Sequence, residues 1–116
     1  MLNIRPLEHP DRVRWLLPPS KSHMIRWIAL ASQSESETNL IFQGVPGRDI
    51  ESMAECMEKM GTSIERGARQ WIIRGKRGGL CLPDSTLDCG NSATTANFVS
   101  AIASCMSGPV DIDGDP

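Results

Sequence analysis

Pro18-Pro19-Ser20-Lys21-Ser22 leads into a segment that carries Arg26. These residue types suit the capture of an anion. Ser20 is a good helix N-cap, and the backbone N–H groups at a helix start are unpaired and carry a partial positive charge. Lys21 adds a point charge there. Ser22 and Arg26 are four apart, so both lie on one face of the first turns, where hydroxyl and guanidinium can converge on one phosphate or carboxylate. The competing reading is an ordinary capped helix with a solvated lysine in its first turn. A second constellation is Asp88-Cys89-Gly90-Asn91-Ser92-Ala93-Thr94-Thr95. Gly90 permits a tight turn, and the small residues after it let the backbone approach a ligand closely. A helix capped by Asn91 accounts for the same residues equally well. Gly47-Arg48-Asp49 is the third. Asp49 is most simply a cap, and a ligand-orienting carboxylate is the alternative.

The elements around these residues follow from hydrophobic spacing. Leu2 to Leu7 and Arg12 to Leu17 read as short strands separated by the turn-like His9-Pro10-Asp11. Pro18-Pro19 ends the second, because proline cannot continue a strand interior. A helix from Ser20 to about Gln33 has Ile25, Ile28, Ala29 and Ser32 at the spacing of a buried stripe. Thr38 to Phe42 reads as a strand. Asp49 is expected to cap a second helix, with Ile50, Met53, Ala54 and Met57 inward and Gly61 as its stop. The methionines of that stripe are core. Thr62 to Arg66 and Gln70 to Arg74 predict a hairpin across Gly67, and Leu80 to Leu82 a further short strand. Asn91 or Ser92 opens a third helix with Val99, Ile102, Ala103 and Met106 on one face, closed by Gly108-Pro109. Val110 to Ile112 begins another strand. This order of elements is α/β or mixed α+β, with a loose βαβ-type repeat.

Composition narrows the classes. The chain has 116 residues, 12 basic and 14 acidic, and 40% of it is apolar. That is the composition of one globular domain, neither disordered nor collagen-like. No apolar run approaches the roughly 20 residues a bilayer span requires, so no membrane partner is expected. The start, Met1-Leu2-Asn3-Ile4-Arg5, lacks a basic segment followed by an apolar stretch, and a cytoplasmic location is the expectation. Cys56, Cys81, Cys89 and Cys105 form no CxxC pair and make no metal-ligand spacing with His9 and His23, so zinc is not expected. Each cysteine reads as a small reduced core residue. Arg66, Arg69, Arg74, Lys76 and Arg77 cluster near Trp71, which raises nucleic acid as a partner. The alternation around Trp71-Ile72-Ile73 favours a solvated hairpin instead.

The segments LLPPSKSHMIRWIALAS, GRDIESMAECMEKMG and LDCGNSATTA, in this order, resemble the N-terminal part of the 5-enolpyruvylshikimate-3-phosphate synthase family, the 3-phosphoshikimate 1-carboxyvinyltransferases. The resemblance covers nearly the whole chain and implies a two-domain fold of repeated βαβαββ units, of which residues 1–116 would be the N-terminal portion. Residues 1–17 are then expected to pack on the C-terminal domain. It implies that Lys21 touches both substrates, that Ser22 and Arg26 bind shikimate 3-phosphate, and that Asn91 and Ala93 lie near phosphoenolpyruvate, with Asp49 and Thr94 supporting. Two positions depart from the family pattern. Ala93 stands where glycine is usual, and Asn97 where an arginine is usual, three residues after the motif threonine. The implied reaction moves the enolpyruvyl group of phosphoenolpyruvate to the 5-hydroxyl of shikimate 3-phosphate and releases phosphate. It implies small-molecule substrates, no metal or organic cofactor, no nucleic acid, and a monomer at full length. The residues named bind and orient; no general acid–base pair is evident among them. UDP-N-acetylglucosamine enolpyruvyl transferase, whose counterpart loop usually reads lysine-asparagine, is the second enzyme reading. A non-catalytic phosphate-binding fragment is the third.

Overall fold

Two prolines and an extended Ser20 (φ −61°, ψ 111°) stop the incoming chain and let it wind into a helix, α1 (Lys21–Ser32). The structure, a computed structural model, describes Asn3, Arg5 and residues 15–115. The remaining elements are β1 (Glu37–Ile41), α2 (Arg48–Lys59), β2 (Ser63–Arg66), β3 (Gln70–Arg74), β4 (Leu87–Asp88), α3 (Ala93–Ala103) and β5 (Ile112–Asp113). The succession from α1 to β3 supplies five of the six elements of a βαβαββ unit. The expected opening strand Leu2 to Leu7 and the turn at His9-Pro10-Asp11 lie outside the described residues. So does most of the expected strand Arg12 to Leu17, and its described part, residues 15–17, is not in a ladder.

The stripes of the first two helices fall where their spacing puts them, whereas of the expected α3 stripe only Val99 is buried. Ile25, Ile28, Ala29 and Ser32 of α1 are all buried, and the Ser32 hydroxyl satisfies itself by donating to the Ile28 carbonyl at 2.7 Å. Ile50, Met53, Ala54 and Met57 of α2 are buried too, with Met60 just beyond the helix. The helix closes as expected at Gly61, where the Thr62 N–H bonds back to the Met57 carbonyl at 3.0 Å. Its start differs from expectation. Gly47, not Asp49, is the N-cap, its carbonyl taking the N–H groups of Ile50 and Glu51 at 3.0 and 3.2 Å. Asp49 lies inside the first turn because its carboxylate is turned toward Lys21.

β3 is the middle strand of an antiparallel sheet ordered β1-β3-β2. Leu40 opposes Trp71 and Ile64 opposes Ile73, all four buried against the helices. Phe42 meets Trp71 edge to face at 5.9 Å. The basic stretch forms a hairpin, and three of its five cations are matched by acids. Arg66 forks onto Glu58 at 2.7 and 2.8 Å and reaches Glu51 at 3.0 Å, while its guanidinium lies 5.3 Å from the Trp71 ring centroid. Arg74 pairs with Glu37 and Glu65, and Arg77 with Glu35. These pairs thin the positive stripe that a nucleic-acid interface needs. α1 packs on β1 and β3, α2 on β2, and α3 rests on α1 and α2.

Four expectations are corrected. Leu80 to Leu82 is irregular: no described strand lies alongside it, and the Cys81 N–H donates instead to the Met60 carbonyl at 2.9 Å. The strand that pairs here is β4, parallel to β5, with Leu87 opposite Ile112 and Asp88 opposite Asp113. The last strand is thus shifted past Val110, and α3 ends at Ala103, with Cys105 and Met106 in tight turns after it. Cys56 and Cys89 are buried free thiols, as expected, but Cys81 and Cys105 are exposed.

Candidate functional site

Three helices begin side by side. The Lys21 Nζ lies 2.8 Å from the Asp49 Oδ2, which joins the first turns of α1 and α2. The Thr95 hydroxyl donates to the Asp49 backbone carbonyl at 3.2 Å, which joins α2 to α3. The Arg26 guanidinium carbon stands 5.7 Å from the Phe98 ring centroid, which joins α1 to α3. Unpaired N–H groups and the positive ends of three helix dipoles therefore converge on one end of the molecule. That is a field suited to anions.

Ser22 and Arg26 meet as their four-residue spacing requires. Arg26 NH1 donates to the Ser22 carbonyl at 2.8 Å and also to the Ser22 hydroxyl. The pair is exposed and assembled within α1 itself. These bonds use NH1 alone, and a guanidinium carries five N–H donors in a fixed fork. Lys21 is differently placed. It is shared with a carboxylate, so an incoming phosphate competes with Asp49 for the same ammonium.

The loop before α3 is held from three sides. Asp88 Oδ1 accepts the Gly90 N–H at 2.8 Å, and the Gly90 carbonyl accepts the Asp115 N–H at 3.1 Å. Gly90 has φ +52°, and a Cβ there would stand 2.9 Å from the Ser52 hydroxyl oxygen of α2. Both facts call for glycine. Ser92, one of the two expected caps, is the cap that forms: its oxygen accepts the Thr95 N–H at 3.2 Å. Asn91 is exposed and free of that duty. Ala93 and Asn97 are exposed one turn apart on α3, and Thr94 is half-buried. Under the loop lies a recess of about 340 Å³, lined among others by Arg48, Asp49, Glu55, Asp88, Asn91 and Asp115. Its carboxylates disfavour an anion, whereas Lys21, Ser22 and Arg26 present cationic and hydroxyl groups outside it. Among the described residues, no group of three or more His, Cys, Asp or Glu is arranged to hold a metal ion.

Cys56 and Cys89 lie beneath this loop, with the Cys56 thiol bonded to the Asp88 carbonyl at 3.4 Å. Burial pushes the Cys56 thiol up to about 12 and raises Cys89 as well. Neither is a nucleophile in that state. The structure thus brings Lys21 against Asp49 and Ser22 against Arg26, and sets Asp49 and Asn91 on one recess. Sequence reasoning missed Thr95 and Phe98. The serine-to-threonine spacing of 92 to 95 is that of a cap and its third helical residue, which was a usable sign; nothing local marked Phe98.

The family model described as EPSP synthase (3-phosphoshikimate 1-carboxyvinyltransferase) matches residues 13–116. The chain belongs to the EPSP synthase family. A 3-phosphoshikimate 1-carboxyvinyltransferase of Halobacterium salinarum is 32% identical over 108 residues, which cover 91% of this chain and 25% of that protein. One from Methanococcus maripaludis is 39% identical over 90 residues, 78% of this chain and 20% of that one. The solved EPSP synthase from Acinetobacter baumannii superposes with a TM-score of 0.78 at 28% identity, covering 87% of this chain and 23% of that one. The chain spans about a quarter of the length of the EPSP synthases it matches. No helix among its described residues is long and apolar enough to cross a membrane.

Proposed function

We propose that this chain supplies the N-terminal part of a 3-phosphoshikimate 1-carboxyvinyltransferase, which moves the enolpyruvyl group of phosphoenolpyruvate to the 5-hydroxyl of shikimate 3-phosphate and releases phosphate. The observation that carries this reading is the convergence of three helix N-termini around Lys21, Ser22 and Arg26, held by the Lys21–Asp49 pair at 2.8 Å. Two anionic substrates have to be held side by side, and fixed cations and helix dipoles stabilise them without reorganising. Ser22 and Arg26 hold shikimate 3-phosphate; Lys21 lies between the substrates; Asn91 and Ala93 border phosphoenolpyruvate, with Asp49 and Thr94 in support. The addition needs a proton delivered to the methylene carbon and one removed from the hydroxyl. Residues outside this chain supply that pair. The enzyme is read as cytoplasmic and monomeric, working without metal or organic cofactor.

Residues 15–17 support a second part of the proposal, that this end of the chain packs on a C-terminal domain. Trp15, Leu16 and Leu17 are 78, 73 and 70% exposed. Calorimetric titration of shikimate 3-phosphate into the longest chain the gene encodes, with and without phosphoenolpyruvate, tests the function. Binding that tightens when both are present, followed by phosphate release, is the expected result. No binding by a folded full-length chain overturns it, and binding without phosphate release leaves a non-catalytic phosphate binder.

A further inference from the structure

Thr95 is completely buried, and both its hydroxyl and its backbone N–H are engaged. Its hydroxyl oxygen accepts from the Ser92 hydroxyl at 2.9 Å, and its hydroxyl proton goes to the Asp49 carbonyl at 3.2 Å. The Thr95 N–H returns to the Ser92 oxygen at 3.2 Å. The relay therefore has one direction, from the cap of α3 to the first turn of α2. It crosses 46 residues of sequence, its Ser92–Thr95 half buried and its Asp49 end partly buried. Buried bonds of this kind are costly to leave half made, so the two helix starts move together or not at all.

We propose that Thr95 is a positioning residue whose hydroxyl fixes Asp49, and through it Lys21, against the Asn91–Ala93 loop. The inference rests on the functional reading above, that this end binds two anionic substrates. Its consequence is selective. Ser22 and Arg26 are held to each other within α1, so two of the three shikimate 3-phosphate contacts do not depend on Thr95, and only the share carried by Lys21 does. The phosphoenolpyruvate side depends on it, because that side is assembled from α1, α2 and α3 together.

The test uses the full-length chain and steady-state phosphate release. Thr95→Val keeps the shape and removes the hydroxyl; it is expected to raise KM for phosphoenolpyruvate about 10-fold while changing KM for shikimate 3-phosphate less than about threefold. Thr95→Ser keeps the hydroxyl and should return both to near wild type. Thr95→Ala also removes the hydroxyl that reaches the Asp49 carbonyl, and it should repeat the selective rise if Thr95→Val does not fold. A Thr95→Val protein with a lowered Tm but unchanged KM values overturns the proposal, as does a Thr95→Ser protein as impaired as Thr95→Val. Amide hydrogen exchange provides a readout independent of turnover. Loss of the hydroxyl should speed exchange at 48–52 as well as at 92–95, and an unaffected α2 start overturns the tie. If the wild-type full chain binds neither substrate, the functional reading fails, and the exchange result alone then decides whether Thr95 couples the helices.

Discussion

Lys21 and Arg26 are both exposed cations, but they are held in different ways and should respond differently to substitution. Lys21 pairs with Asp49 across half-exposed side chains, 56 and 26% accessible. Such a pair contributes about 1 kcal/mol or less to stability. Lys21→Ala is therefore expected to leave the urea midpoint nearly unchanged while removing the synergy between the two substrates in calorimetry. Arg26→Ala removes charge-assisted bonds to a ligand and should weaken shikimate 3-phosphate binding by about 1.5 to 3 kcal/mol. Unchanged affinity at low salt would sink the assignment of Arg26. Cys56 carries a pH signature. Its thiol is raised from 9.0 to about 12 by burial, so folding holds it neutral while the unfolded chain ionises. The stability this provides is complete below about pH 9 and is lost as pH rises toward 12. Between pH 8 and 10 the loss should be about 1 kcal/mol, read from urea midpoints, and Cys56→Ala should flatten it. The Ser22–Arg26 contact was legible in the sequence because one helix carries both residues four apart. Thr95 was not, because its partner carbonyl belongs to a different helix.

At the scale of elements, legibility followed length. α1 and α2 each repeat their buried stripe over 12 residues, and such a repeat has few alternative readings. β4 and β5 have two residues each, too few to alternate, and only the fold brings them together. Leu80 to Leu82 showed the converse error, an apolar run without a neighbouring strand. Asp49 was misjudged as a cap because an aspartate that caps and one that holds a lysine look alike in sequence. One junction allows a sharp test. A Cβ on Gly75 would stand 2.3 Å from the Ala31 carbonyl oxygen and 2.4 Å from that of Ser34, both backbone atoms of the α1 end. Neither can swing aside. Gly75→Ala should separate β3 from α1 and cost about 3 kcal/mol, seen as a lowered denaturation midpoint.

At the scale of the whole molecule, several large apolar side chains are exposed, among them Trp27, Leu30, Ile41 and Val45. Patches of this kind mark surfaces that another body covers. The 116-residue chain alone should therefore bind an apolar dye strongly and self-associate, and the longest encoded chain should do neither. Tryptophan emission separates the contributions: Trp71 is 2% exposed and should stay blue, whereas Trp15 and Trp27, 78 and 55% exposed, should shift to the blue only in the longer chain. Equal emission from both chains would leave the surface uncovered and count against a second domain on this face. The parallel pair β4 and β5 also has a temporal meaning. Leu87 and Cys89 donate to the carbonyls of Asp111 and Asp113, each at 2.8 Å, and Gly90 accepts from Asp115. During synthesis α1, α2 and the hairpin emerge from the ribosome well before those partners. A nascent chain therefore builds its scaffold first and leaves the loop before α3 unfastened until residue 115 has cleared the exit tunnel.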